Sequence, residues 1–97
     1  MFFLIVLPPV VTISPVTMTT SEGGRAEFNC LATGVGSVDF EYQWFINQLL
    51  ISGQNTSTLI INDVTYANSG DYTCSVRNSY KGISHSGVAK LLILGIH

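Results

Sequence analysis

The sequence predicts an all-β domain: two antiparallel sheets packed face to face, built from roughly seven or eight short strands. Three observations predict it. Apolar and polar residues alternate over short segments, and no stretch carries a helical period. Turn-forming residues interrupt those segments at frequent intervals. Two cysteines, Cys30 and Cys74, fall on the apolar phase of two such segments, and the only tryptophan, Trp44, lies between them.

Each segment follows from its residues. Met1 to Leu7 is an apolar run closed by Pro8-Pro9. It resembles part of a signal-peptide core, but it lacks a basic start and a small-residue cleavage site. It is too short to span a bilayer. Three readings stand: a clipped or atypical signal remnant, a linker or strand from a longer parent, or a cloning or gene-model artefact. We delimit residues 1–8 as an apolar leader or remnant and residues 9–95 as the domain. Val10 to Ser14 is rich in β-branched residues and reads as a first strand. Pro15 removes a ladder hydrogen bond, which an edge strand tolerates. The spacing therefore predicts an edge strand that resumes after a kink as Val16 to Thr20. Ser21-Glu22-Gly23-Gly24 is a turn.

From Arg25 to Thr33, Ala26, Phe28, Cys30 and Ala32 share one face, the mark of a half-buried antiparallel strand. Gly34-Val35-Gly36-Ser37 reads as a loop. Phe40 to Ile46 is the next strand, with Tyr42, Trp44 and Ile46 on one side and Glu41, Gln43 and Phe45 on the other. Asn47-Gln48 reads as a tight turn into a short strand, Leu49 to Ile51. Ser52 to Ser57 is polar. Thr58 to Asn62 is a strand with Leu59 and Ile61 inward, and Val64 plugs the core from the turn that follows. Gly70 to Asn78 places Tyr72, Cys74 and Val76 inward and Asp71, Thr73, Ser75 and Arg77 outward. Ser79 to Gly87 reads as a hairpin loop containing Tyr80, Lys81 and His85. Val88 to Leu94 is the last strand, with Ala89, Leu91 and Ile93 inward and Val88, Lys90, Leu92 and Leu94 outward.

Composition narrows the function classes. The chain has 97 residues, one domain by size. Charged residues make up 10%, against roughly 25% in an average soluble domain. The net charge of −2 forms no run, which argues against nucleic acid as a partner. The two cysteines lack the close-pair spacing of a metal site. Their core-facing phase predicts a disulfide, which would contribute roughly 4 kcal/mol for a loop of this length. Two reduced core cysteines are the alternative. Asn55-Thr56-Ser57 is an N-glycosylation triplet in a turn-like stretch, so Asn55 is the glycosylation candidate. A disulfide and a sequon together point to an oxidising, secretory route.

Cys30, Trp44, Leu59-Ile60-Ile61 with Val64, and Asn68-Ser69-Gly70-Asp71-Tyr72-Thr73-Cys74 together resemble the immunoglobulin superfamily. The resemblance covers about residues 9 to 94. It implies an immunoglobulin-like sandwich with Greek-key connections, and strands lettered A, B, C, C′, E, F and G in the order just given. Trp44, Gly70 and Tyr72 would form the core signature beside the Cys30–Cys74 bridge. Tyr72 would make a tyrosine corner, its hydroxyl bonding backbone near the E–F turn. Few residues separate C′ from E, which leaves no room for the extra strands of a variable domain. The Asp usual at the start of the D-x-G-x-Y-x-C pattern is Asn68 here, and no Lys or Arg occurs from Asp39 to Thr73. Both halves of the ion pair expected of a variable domain are therefore missing. Val76-Arg77-Asn78 followed by Gly82 resembles the I-set or C2-type instead. There is no Phe-Gly-x-Gly joining segment after strand F.

Chemistry has little to stand on. His85 has no carboxylate nearby in sequence, His97 is terminal, and both cysteines are committed to the core. A nucleophile, base and orienting acid are not assembled, so we expect no enzyme. Asp39, Glu41 and Asp71 lack metal-ligand spacing, and we expect no metal or cofactor. Gly34-x-Gly36 precedes a strand rather than a helix, unlike a phosphate loop. Binding remains. The outward face of G, F, C and C′ would carry Phe45, Leu49, Leu50, Leu92 and Leu94 with Thr73 and Ser75, an unusually apolar and uncharged solvent face. Interfaces favour aromatics and exclude charge from their centres. A neighbouring domain, or no role, are the rival explanations of that face. Tyr80 and Lys81 at the F–G tip form a second candidate contact. The expected function is an extracellular or cell-surface protein-binding module of an adhesion or receptor protein. Its partner would be a protein, homophilic or heterophilic, or neighbouring Ig domains of the same parent, with no membrane insertion by the domain. The alternative is a structural Ig module of an intracellular muscle-type scaffold. A weaker third reading is a secreted immune-type domain that recognises through its B–C and F–G loops.

Overall fold

Period-two patterning sets the strands, and a few turn residues set how they pair. A computed structural model describes residues 7–35 and 39–95. The leader reading of residues 1–8 falls mostly outside them, as do Gly36, Ser37 and His97. The strands are β1 (Val10–Ser14), β2 (Thr17–Ser21), β3 (Ala26–Thr33), β4 (Glu41–Ile46), β5 (Leu49–Leu50), β6 (Thr58–Ile61), β7 (Gly70–Arg77), β8 (Ile83–His85) and β9 (Ala89–Leu94). A turn of 3-10 helix, Tyr66–Asn68, leads into β7. One sheet has the order β1-β3-β6. The other has the order β2-β9-β7-β4-β5, with β8 also on β7. The expected two-sheet immunoglobulin-like sandwich is what forms. No strand lies between β5 and β6. No helix of the described residues is long and apolar enough to cross a membrane.

The first strand does more than kink. β1 runs antiparallel to β3, whereas β2 runs parallel to β9 in the other sheet. The cis Ser14–Pro15 bond lies at the change. Pro15 offers no N–H, and the carbonyl of Val16 is taken by the Lys90 N–H at 2.9 Å. Each sheet thereby gains an edge from one segment.

The core fills from both inner faces. Phe28, Trp44, Leu59, Val64, Tyr72, Cys74, Val76 and Leu91 are the largest fully buried side chains. The predicted inward phases of β3, β7 and β9 hold in the structure: Ala26, Phe28, Cys30, Tyr72, Cys74, Val76, Ala89 and Leu91 are all buried. The rings of Phe28 and Tyr72 meet edge to face at 5.1 Å across the sheets. Ile61 and Ile93 are half-buried against this cluster.

Three expectations need correction. Ser79 to Gly87 is not one loop. Ile83–His85 pairs with β7, and His85 lies in a strand opposite Ser75. The register then shifts, because β9 places Ala89 opposite Tyr72. Between these pairs Thr73 and Cys74 stand opposite three residues, Ser86, Gly87 and Val88, which is a β-bulge. Ser86 holds it: its N–H donates to the Cys74 carbonyl at 2.8 Å, and its hydroxyl accepts the Cys74 N–H at 2.9 Å. Ser75, expected outward in solvent, is only 7% exposed, because longer neighbours cover a short side chain. The strand expected over Leu49–Ile51 ends at Leu50, although Ile51 still donates to the Trp44 carbonyl at 2.9 Å.

Candidate functional site

The strand that carries the site, β7, is fixed from the inside. Cys30 and Cys74 form the disulfide between the sheets, with Cα atoms 6.3 Å apart. Trp44 pairs directly with Cys74 across β4 and β7, so its indole packs against the bridge. The indole N–H donates to the Thr56 carbonyl at 2.8 Å, which satisfies the one polar atom of a fully buried side chain. The Tyr72 hydroxyl donates to the Asn68 carbonyl at 2.5 Å, the tyrosine corner that the resemblance implied. Burial pushes the Tyr72 phenol up to about 12, since ionisation would leave a charge in apolar surroundings. Asn68 has a task of its own. Its side-chain oxygen accepts the Thr65 N–H at 2.8 Å and closes the turn before β7.

Gly70 is required by what lies opposite. Asn47 and Gln48 adopt φ of 48° and 69°, and Ile46 pairs with Leu49, so the β4–β5 hairpin is a two-residue turn of the type I′ kind. Asn47 then grips β7: its N–H donates to the Asp71 carbonyl at 2.7 Å, and its Oδ1 accepts the Asp71 N–H at 3.0 Å. At Gly70, φ is 152° and a Cβ would lie 2.7 Å from the Asn47 side chain. Only glycine suits both conditions.

On the outer face, cross-strand neighbours make rows. Nearest the β7–β8 loop stand Glu41, Arg77 and Ile83, followed by Gln43, Ser75 and His85. Leu50, Phe45 and Thr73 come next. Asp71 and Lys90 follow, with Thr17 beside them. Leu92 and Leu94 lie beyond the end of β7, alongside Thr19 and Ser21. The apolar candidates thus form two patches, Phe45 with Leu50 and Leu92 with Leu94, divided by the Asp71–Lys90 row. Leu49 belongs to neither. It pairs with Ile46, so it points to the opposite side from Leu50.

The expectation of an uncharged face is therefore wrong. A low total of charges still places Glu41, Asp71, Arg77 and Lys90 on this one sheet, because the alternation of β4, β7 and β9 turns each of them outward. Lys90 and Asp71 approach to 4.0 Å in solvent, a pair worth little. Arg25 and Glu27 pair at 2.8 Å elsewhere. Arg77 belongs to neither ion pair found among the described residues. Phe40, Glu41, Tyr42, Gln43, Asn55, Ser75, Arg77 and Ile83 line a hollow of about 420 Å³ at this end of the sheet. The exposed Asn55 stands on its wall.

The loop carrying Tyr80 and Lys81 is ordered by a residue that sequence reasoning passed over. Asn78 is 2% exposed. Its Oδ1 accepts the N–H groups of Tyr80 and Gly82, and its Nδ2 donates to the Leu7 carbonyl at 2.9 Å. A Cβ on Gly82 would meet the Pro8 Cα at 3.0 Å. Asn78 and Gly82 thus tie the β7–β8 loop to the segment before β1. The signal was present in sequence as Asn78 with Gly82, noted only as a marker of domain type. Tyr80 is left exposed at the tip.

Comparison with known proteins agrees with this anatomy. A family model described as "Immunoglobulin domain" matches residues 8–78. The chain is 40% identical over 74 residues to cell adhesion molecule Dscam2 of Drosophila melanogaster, covering 72% of this chain and 4% of that protein. It is 36% identical over 70 residues to mucosa-associated lymphoid tissue lymphoma translocation protein 1 of Homo sapiens, covering 72% of this chain and 8% of that protein. The chain thus spans a small fraction of either relative. Among solved structures, a chain from the three N-terminal domains of the highly immunogenic outer capsid protein of bacteriophage RB49 aligns with a TM-score of 0.77 at 21% identity, over 88% of this chain and 29% of that one. A chain from a study of T cell specificity and activation by toxic shock syndrome toxin-1 aligns with a TM-score of 0.68 at 15% identity, over 89% and 99%. These two show a shared fold. The match over residues 8–78, on a sandwich pinned by Cys30, Trp44, Tyr72 and Cys74, means that this chain belongs to the immunoglobulin domain family.

Proposed function

We propose that this chain is an extracellular protein-binding module of a cell-surface adhesion or receptor protein, with no catalytic role. The observation that carries the reading is the Phe45–Leu50 patch. It sits on the outer face where β4 meets the edge strand β5, with Leu50 54% exposed and no element of the described residues pairing over it. An apolar centre flanked by the Glu41–Arg77 and Asp71–Lys90 rows is the arrangement of a protein interface. Leu92 and Leu94, at the far end of β9, fit a neighbouring domain of the same parent. The likeness to a protein named as a cell adhesion molecule supports the role. The Cys30–Cys74 bridge and the exposed Asn55 support the compartment.

Two measurements test this. Non-reducing intact mass with glycosidase treatment, on protein from its native source, should show an oxidised Cys30–Cys74 pair and a glycan. Free thiols with unmodified Asn55 would favour an intracellular structural module instead. Beads coated with the domain should bind a second copy, or cells of the source tissue. Phe45→Asp should remove that binding, while Leu92→Ser with Leu94→Ser should leave it. Unchanged binding by Phe45→Asp would sink the assignment of the face.

A further inference from the structure

We infer that an N-linked glycan on Asn55 seats in the hollow beside it and closes the Glu41–Arg77 end of the outer face, leaving protein contacts to the Phe45–Leu50 end. This rests on the extracellular reading above. The sequon turn is held in place. The Thr56 carbonyl accepts the Trp44 indole N–H, and the Thr56 hydroxyl donates to the Thr58 carbonyl at 2.9 Å. Asn55 and Ser57 on either side remain exposed, as glycan transfer requires. Asn55 is therefore a fixed point on the wall of the hollow rather than the tip of a loose loop.

The lining suits a sugar. Phe40, Tyr42 and Ile83 offer apolar surface to the C–H face of a pyranose, and Glu41, Gln43 and Arg77 offer partners to its hydroxyls. The volume of about 420 Å³ lies within the range of about 300–1,000 Å³ that seats small ligands. A tethered sugar meets this surface at high effective concentration, so weak contacts suffice. In the transfer, the Asn55 amide nitrogen bonds to C1 of a lipid-pyrophosphate-linked oligosaccharide. The C1–O bond to the pyrophosphate breaks, the lipid pyrophosphate leaves, and one amide proton passes to a base.

Arginine labelling with phenylglyoxal reads the outcome directly. The sequence has two arginines. Arg77 lines the hollow, and Arg25, paired with Glu27 away from it, is the internal control. The domain is secreted from glycosylating cells as wild type, Asn55→Gln and Ser57→Ala, and labelling is followed by peptide mass. Wild type should carry the glycan, and its Arg77 should label severalfold more slowly than in either variant, with Arg25 unchanged. Absence of a glycan, or equal Arg77 rates with and without it, overturns the inference. The readout needs no partner. Protection of Arg77 alongside undiminished bead binding by Phe45→Asp would overturn the binding face and leave this inference standing.

Discussion

On β7, Tyr72, Cys74 and Val76 point inward and are fully buried, while Asp71, Thr73 and Arg77 alternate with them and point outward. Two of the three meet a specific partner, Phe28 and the Asn68 carbonyl for Tyr72 and Cys30 for Cys74, and Val76 packs in the shared core. Asp71, Thr73 and Arg77 have neighbours in rows but stay at least partly open, and of the outer side chains of β7 the short Ser75 is the one that is covered. Because a strand alternates its sides residue by residue, one segment serves two separable purposes. The inner set determines which family the chain joins. On the function proposed above, the outer set is what meets a partner. Substitutions on the two sides should therefore differ in kind.

The largest effect belongs to Trp44→Ala. It empties a fully buried site beside the disulfide and removes the hydrogen bond that holds Thr56. A loss of about 3–5 kcal/mol is expected, comparable to the whole stability of a small domain. Urea denaturation should show an unfolded or barely folded chain. A stable Trp44→Ala variant would mean that the inner side is not the anchor it looks to be.

Gly70→Ala comes next, at about 1–3 kcal/mol, since it combines a left-handed φ with an approach to Asn47. The two causes separate. Gly70→Ala with Asn47→Ala relieves the collision but keeps the strained φ, so the double variant should be less destabilised than the two single changes summed. Strict additivity in thermal denaturation would argue against the contact.

Tyr72→Phe is smaller at neutral pH, about 1 kcal/mol for the lost hydrogen bond. Its distinct mark is pH dependence. The folded phenol is raised to about 12 from an ordinary 10.0, so below pH 10 both states keep the proton and the term is constant. Between pH 10 and 12 the unfolded chain ionises and the folded one does not. Stability then falls by up to about 2–3 kcal/mol. Tyr72→Phe should lack that component of the alkaline loss, and equal loss in both proteins would contradict the burial argument.

The same division explains what was legible in sequence. The inner sides of β3, β7 and β9 were readable because burial enforces strict alternation, and Cys30, Trp44, Gly70 and Tyr72 each have only one residue type that suits the place. The β8 strand was not readable. Ile83-Ser84-His85-Ser86-Gly87 looks like loop, and the Ser86 hydroxyl stands in for a backbone acceptor where the register slips. The sheet switch at Pro15 was also hidden, because a proline marks the break without saying which edge receives the chain. The division of the outer face depends on register between strands far apart in sequence. Phe45, Leu92 and Leu94 shared a predicted face, but only the pairing of Asp71 with Lys90 shows that a charged row separates them.

The smallest expected effect on stability makes the sharpest test of the comparison. Phe45 adjoins Trp44 in sequence but points the other way, half-buried against Leu50 and Thr73. Phe45→Asp removes a partly covered ring and adds a charge between the Glu41 and Asp71 rows, so a cost of about 1 kcal/mol is expected. That should appear as a drop of a few degrees in melting temperature, with the circular dichroism spectrum unchanged. Its neighbour Trp44→Ala should abolish the cooperative transition altogether. Adjacent residues with such unequal costs follow only if β4 presents one side to the core and leaves the other open. If Phe45→Asp unfolds the domain, the outer side is itself structural, and the ring is covered by something within the fold.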